Sequence, residues 1–195
     1  MAKKNSKNKK RMFVKKNLAA TGRLLLEFLE EMANATLEAS GAFLASAGSA
    51  KILARNIYMS DRSYYSAMQN MKKRGYIKKI NEDQFLITPK AITKARILKV
   101  EMADWEDKKW DGRWRIIAFD IPNTKNRERG IFRSLIKRKG FVGLQKSVFI
   151  APYADFNELA QIRSDLKIEK YVSFLIAECS ETDDDKFLRK RFNLD

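Results

Sequence analysis

The stretch Ser60–Pro89, SDRSYYSAMQNMKKRGYIKKINEDQFLITP, decides the fold. Ser60 is a good N-cap, because its hydroxyl can accept an otherwise orphaned N–H of a helix's first turn, and Asp61 is favourable beside the positive end of the helix dipole. Tyr64, Tyr65, Met68 and Met71 then supply an apolar set down to Arg74, and Gly75 ends the helix as a C′ glycine does. Tyr76–Ile80 and Gln84–Thr88 follow as two short β-rich runs around the polar turn Asn81-Glu82-Asp83. A capped helix therefore leads into a hairpin.

Upstream, Leu25, Phe28, Leu29 and Met32 recur at i, i+3, i+4, i+7 after Thr21 and Gly22, the spacing of an amphipathic helix. From Asn34 to Gly48 the chain is Ala/Ser-rich; alanine favours helix, whereas Gly41 and Gly48 weaken it. Ile52, Leu53 and Ile57 mark a further helical segment over Ala50–Tyr58. Helix, helix, helix, hairpin is the winged variant of the helix-turn-helix layout, with Pro89 closing the wing and another helix near Ala91–Val100. On this layout the DNA contacts are expected from Ser60, Arg62, Tyr64, Tyr65, Gln69, Lys72 and Lys73 of the helix and from Lys78 and Lys79 of the hairpin. Arg and Gln offer paired donors to base edges and Lys neutralises phosphate. The plain alternative is a solvated basic face. Tyr64 and Tyr65 are adjacent, so one should enter the core and leave the other for phosphate or base.

Downstream, Glu101–Asp111 mixes acids and lysines with Trp105 and Trp110 and reads as a linker with anchors. Trp114–Asp120 is β-rich and stops at Pro122, with Asn123 or Thr124 as the next cap. Ile131, Leu135 and Ile136 mark the helix that Gly140 ends. Phe141–Leu144, Ser147–Ile150, a helix over Asp155–Leu166 and Tyr171–Ile176 complete βαββαβ, the ferredoxin-like order. A last segment sets Glu181, Asp183, Asp184 and Asp185 before Lys186, Arg189, Lys190 and Arg191, the charge order of a dipole-matched helix. Trp105, Trp110 and Trp114 read as packing anchors, or else as stacking platforms for single strands. Arg127, Arg129, Arg133, Lys137, Arg138 and Lys139 form a basic face that fits a DNA backbone or a partner's acids.

Composition narrows the function. In 195 residues, 40 Lys+Arg oppose 24 Asp+Glu for a net charge of +16, which favours an extended anionic partner such as nucleic acid. Eight of the first 17 residues are basic and none is acidic, so residues 1–17 read as a disordered tail that serves as a DNA or RNA arm or only as a solubilising segment; a membrane-surface role for it is the minor alternative. The chain has no histidine, which removes imidazole acid-base catalysis, histidine-activated nucleophiles and imidazole zinc sites. The single Cys179 forms no intrachain disulfide, in keeping with a reducing compartment. No apolar run of about 18 residues occurs, so a soluble, cytoplasmic protein without membrane partner is expected.

The run Trp110–Pro122, WDGRWRIIAFDIP, and then Lys137–Tyr153, KRKGFVGLQKSVFIAPY, resemble the phenylacetate-degradation repressor (PaaX) family. In that family a winged helix precedes a central domain similar to the small CRISPR-associated adaptation nuclease. The resemblance covers roughly residues 20 to 192; full-length members carry a further C-terminal domain, and the form expected here is the short, two-domain one. Together with the patterns above it gives an α+β protein: tail 1–17, which the resemblance does not cover, winged helix-turn-helix 18–100, linker 101–112 and a ferredoxin-like dimerisation domain 113–195. The implied function is a dimeric, sequence-specific regulator of transcription, a repressor, bound to double-stranded DNA as a homodimer and needing no cofactor. Asp120 falls where the CRISPR-associated relatives keep a metal-binding aspartate. The alternative is therefore a metal-dependent nuclease or integration-complex subunit, with Asp120 as the Mg2+ or Mn2+ ligand, paired with its symmetry mate across a dimer. The structural alternative for Asp120 is a cap or an ion-pair partner.

Overall fold

The computed structural model describes residues 19–34, 43–103, 110–178 and 183–194. The tail, Trp105, Cys179 and Glu181 lie outside these residues, as do the side chains of Leu29, Met32 and 183–185. The chain divides into two units, Met1–Met102 and Ala103–Asp195.

The first unit runs α1 (Ala20–Asn34), β1 (Phe43–Ser46), α2 (Ala47–Asn56), α3 (Asp61–Lys73), β2 (Ile77–Lys79), β3 (Gln84–Ile87) and α4 (Pro89–Met102). Its strands form an antiparallel sheet in the order β1-β3-β2, and the whole is winged-helix-like. The strand β1 corrects the helix-favouring reading of the Ala/Ser-rich stretch. Ala45 pairs with Phe85 in the sheet and both are buried, so a non-local pairing overrides the local preference of alanine. The helix after it also starts earlier than expected. Ser46 accepts a hydrogen bond from the Ser49 N–H at 2.9 Å while the Ser46 N–H donates to Ser49 Oγ at 3.2 Å; this reciprocal capping box uses Ser where Glu or Gln is usual.

Ser60 caps α3 as expected, its Oγ accepting from the Ser63 N–H at 3.3 Å. Gly75 holds a φ of +68° just past the end of that helix, a conformation only glycine adopts without strain. The core gathers Leu24, Leu25 and Phe28 of α1, Ala50 and Ala54 of α2, and Tyr64, Ala67 and Met71 of α3. Ile77, Phe85 and Ile87 of the sheet and Ala91, Ile92 and Ala95 of α4 complete it. The Phe28 and Phe85 rings meet edge-on at 5.9 Å. Pro89 is the first residue of α4, where its missing N–H costs nothing.

The second unit runs β4 (Arg113–Phe119), a 3₁₀ turn over Asn123–Lys125, α5 (Asn126–Arg138), β5 (Val142–Gln145), β6 (Val148–Ala151), α6 (Phe156–Asp165), a 3₁₀ turn over Glu169–Tyr171, β7 (Val172–Glu178) and α7 (Asp183–Phe192). All neighbouring strands are antiparallel in the order β5-β6-β4-β7, which is the ferredoxin-like sheet expected for βαββαβ. One face carries Ile117, Phe119 and Phe149, with Phe119 stacked on Phe149 at 5.7 Å and edge-on to Phe132 of α5 at 6.1 Å. The other face carries Trp114 and Ile150, which cluster with Leu188 of α7.

The start of α5 departs from the expected Asn123 or Thr124 cap. The 3₁₀ turn intervenes, and no side-chain cap hydrogen bond is made there. Arg129 instead donates to the side-chain oxygens of Asn123 and Asn126 and to the Ile121 carbonyl, so these amides hold a guanidinium rather than a helix end. Asp155 does cap α6, accepting from the N–H groups of Asn157 and Glu158 at 3.0 and 3.2 Å.

The end of the segment read as a linker is clamped to the sheet. Arg115 donates to both carboxylate oxygens of Asp111, at 2.5 and 2.7 Å, and also to the Arg113 and Pro152 carbonyls. The Arg115 hydrogen bond is the main cause that holds the Asp111 carboxyl at about 2, below its ordinary 3.8. A carboxyl whose pKa is lower in the folded chain stabilises the fold above its unfolded value and loses that contribution as pH falls through the folded one. Thermal scans across pH 5 to about 2 should therefore show Asp111→Asn losing less stability on acidification than wild type. Parallel acid profiles for the two proteins would rule this clamp out.

Candidate nucleic-acid interface

The helix α3 buries Tyr64, Ala67 and Met71 at i, i+3, i+7. The opposite stripe must then be solvent-facing, and it carries Arg62, Tyr65, Gln69, Lys72 and Lys73, all exposed. Among the described residues Arg62, Gln69, Lys72 and Lys73 have no side-chain partner, so their donors are free. Ser66 and Asn70 share the same face. Neither carries a charge, but the i+4 steps from Arg62 to Ser66 and from Ser66 to Asn70 place them there, and the Asn70 amide offers the same paired hydrogen bonding as Gln69.

The two tyrosines separate as adjacency requires. Tyr64 is core: 6% exposed, with its hydroxyl donating to the Ala47 carbonyl at 3.4 Å, and burial raises its pKa. It is thereby removed from the expected contact set. Tyr65 is 58% exposed, rests edge-on against Tyr64 at 5.3 Å, and has the Lys51 ammonium 5.8 Å from its ring centre. Lys51 also lies 3.9 Å from Asp61, so α2 contributes a cation beside the start of α3. Between the two helices Tyr58 holds a φ of +53° and is almost fully exposed; an L-residue in that conformation is uncommon.

Ser60 serves as a cap within α3, as described above. Lys78 and Lys79 are both exposed on β2. Over 43–90 the chain carries nine basic residues against three acidic ones, and five of the nine are Arg62, Lys72 and Lys73 of α3 and Lys78 and Lys79 of β2.

In the second unit, Asp120 follows β4 directly. Its N–H donates to the Tyr171 carbonyl at 2.9 Å and its side chain is exposed. Among the described residues the carboxylate meets neither a backbone N–H nor a basic side chain, so the expected cap or ion pair is not formed there. No group of three potential metal ligands occurs among the described residues. Of the basic face on α5, Arg133 donates to the Lys146 carbonyl at 2.9 Å and lies over the Phe149 ring at 5.4 Å, while Arg138 donates to Ser134. Arg127 and Lys137 remain exposed. Trp114 is buried, and Trp110 meets it at 5.0 Å while donating to the Arg113 carbonyl. These two tryptophans are packing residues; Leu188, Phe192 and Leu194 complete the cluster.

Among the described residues no helix is long and apolar enough to cross a membrane. Residues 107–188 match a family model described as the PaaX protein central Cas2-like domain, about two-fifths of the chain. No curated protein matches the sequence.

Proposed function

We propose, from a PaaX-type central Cas2-like domain over residues 107–188 preceded by a winged-helix-like unit, that this chain is a dimeric, sequence-specific DNA-binding regulator of transcription, acting as a repressor. The observation that carries the reading is the polar stripe of α3. Arg62, Gln69, Lys72 and Lys73 project from one face of a helix whose other face is locked in the core, so donors to bases and phosphates are held on a rigid support. Lysines deliver sequence-independent affinity through counterion release, whereas Arg62 and Gln69 have the bidentate geometry that discriminates guanine and adenine.

A homodimer is part of the same proposal, since two reading heads related by a two-fold axis favour a palindromic site. Leu144 of the edge strand β5 and Leu175 and Ile176 of the edge strand β7 are each about half exposed, which suits a subunit contact better than open solvent. The test is a gel-shift series with genomic fragments around the protein's own gene, paired with light scattering at micromolar concentration. A protected, near-palindromic site bound by a dimer is expected. Weak binding abolished by modest salt, or a monomer both free and on DNA, would refute the regulator reading.

The exposed, unpartnered Asp120 favours one competing reading, a metal-dependent nuclease. A divalent ion of this class takes several oxygen ligands, so two copies of Asp120 would have to approach across the dimer axis. Mg2+- or Mn2+-dependent cleavage of DNA or RNA that disappears in Asp120→Asn, with dimerisation retained, would make the protein an enzyme.

A further inference from the structure

Cross-strand partners in an antiparallel pair share a face of the sheet. Ile77 pairs with Ile87, Lys78 with Leu86 and Lys79 with Phe85. Ile77, Ile87 and Phe85 are buried with Tyr64, Ala67 and Met71 of α3, so Lys79 leaves the hairpin on the side where α3 packs. Lys78 leaves on the opposite side, beside half-buried Leu86. The two lysines look like one basic patch in sequence, yet they leave opposite faces of the hairpin.

The turn that joins the strands is acidic and fixed. Asn81 Oδ1 accepts from the N–H groups of Asp83 and Gln84 at 3.0 and 2.8 Å. The Ala47 N–H, at the first residue of α2, donates to the Asp83 carbonyl at 2.8 Å. Glu82 and Asp83 are both exposed, so two carboxylates stand at a set position on the tip. The minor groove concentrates negative potential and draws in Arg and Lys; a doubly acidic tip is repelled from it. Lysine on one flank and carboxylates at the end therefore oppose each other along a hairpin only a few residues long.

Resting on the proposed DNA-binding function, we infer that the wing meets duplex DNA side-on, Lys79 bonding a backbone phosphate on the flank shared with α3, while the Glu82–Asp83 tip is held out of the groove and Lys78 faces away. Side-on docking gives the wing a part in affinity and none in base reading. The acidic tip lowers affinity for DNA of any sequence.

Fluorescence anisotropy on a random-sequence duplex of about three helical turns, at several salt concentrations, tests this with the full chain. Lys79→Ala should weaken binding about three-fold more than Lys78→Ala and lower the salt slope by about 1, with Lys78→Ala leaving the slope near the wild-type value. The double variant Glu82→Gln/Asp83→Asn should bind several-fold more tightly, most clearly at low salt. Equal losses for the two lysines, a larger loss at Lys78, or weaker binding by the tip variant would overturn the inference. If Lys72→Ala/Lys73→Ala weakens binding while Lys79→Ala does not, the DNA-binding function stands and the side-on wing falls. If the wild-type protein leaves every duplex unbound, both fall together.

Discussion

Trp114→Ala is expected to destabilise the C-terminal unit by about 3–5 kcal/mol, the usual cost of removing a large buried aromatic side chain. Trp114 is 3% exposed. It touches the Trp110 ring at 5.0 Å and the Phe192 ring at 5.7 Å, and it shares a cluster with Ile150 and Leu188. The side chain is thus the point where β4, β6 and α7 converge on the sheet face opposite Phe119 and Phe149. Its loss leaves a cavity that the paired strands cannot close, because Trp114 is held in register with Ala177 of β7. The same loss should loosen α7, whose Leu188 and Phe192 pack there, and make the C-terminus a target for limited proteolysis. Trp110 packs in the same cluster, so its intrinsic fluorescence reports on this unit after the substitution. The urea midpoint should fall by about 1 M or more, with Trp114→Phe in between. A midpoint equal to wild type would show that the cluster does not hold the unit together.

How far the sequence speaks depends on whether a feature is local. Ser60, Gly75, Asp155 and Gly140 act within a few residues of themselves, and the helices they bound lie where those residues suggest. The strand β1 was illegible for the converse reason: FLAS has no strong strand preference and is held by Phe85 and Ile87, some forty residues on. Asn123 and Thr124 were plausible caps until Arg129, from the next helical turns, took the Asn123 amide. The packing role of Trp110 and Trp114 was legible, but their partners were not, because Leu188 and Phe192 follow a charge-rich segment that periodicity alone assigns to solvent. The same limit applies to the interface. Adjacency required one of Tyr64 and Tyr65 to be buried without saying which, and strand alternation set Lys78 and Lys79 on opposite faces without saying which face α3 covers.

Arg62→Ala/Gln69→Ala is expected to weaken binding to the preferred site by about 10- to 100-fold while leaving binding to random duplex within about three-fold. The two side chains lie seven residues apart, two turns of α3, so both face the same way and span about 10 Å along the helix, the distance of about three base-pair steps. Each can make paired hydrogen bonds to a purine in the major groove, and losing such a pair costs the correct sequence far more than a random one. Lys72→Ala/Lys73→Ala supplies the contrast: both ammonium groups sit at the C-terminal end of the stripe, where phosphate neutralisation is sequence-blind. That variant should weaken both duplexes alike and reduce the salt slope by about 2. Discrimination is therefore the readout that separates the ends of the helix. If the Arg62/Gln69 variant loses affinity for both duplexes equally, α3 grips the backbone without reading bases, and sequence specificity must come from elsewhere in the chain.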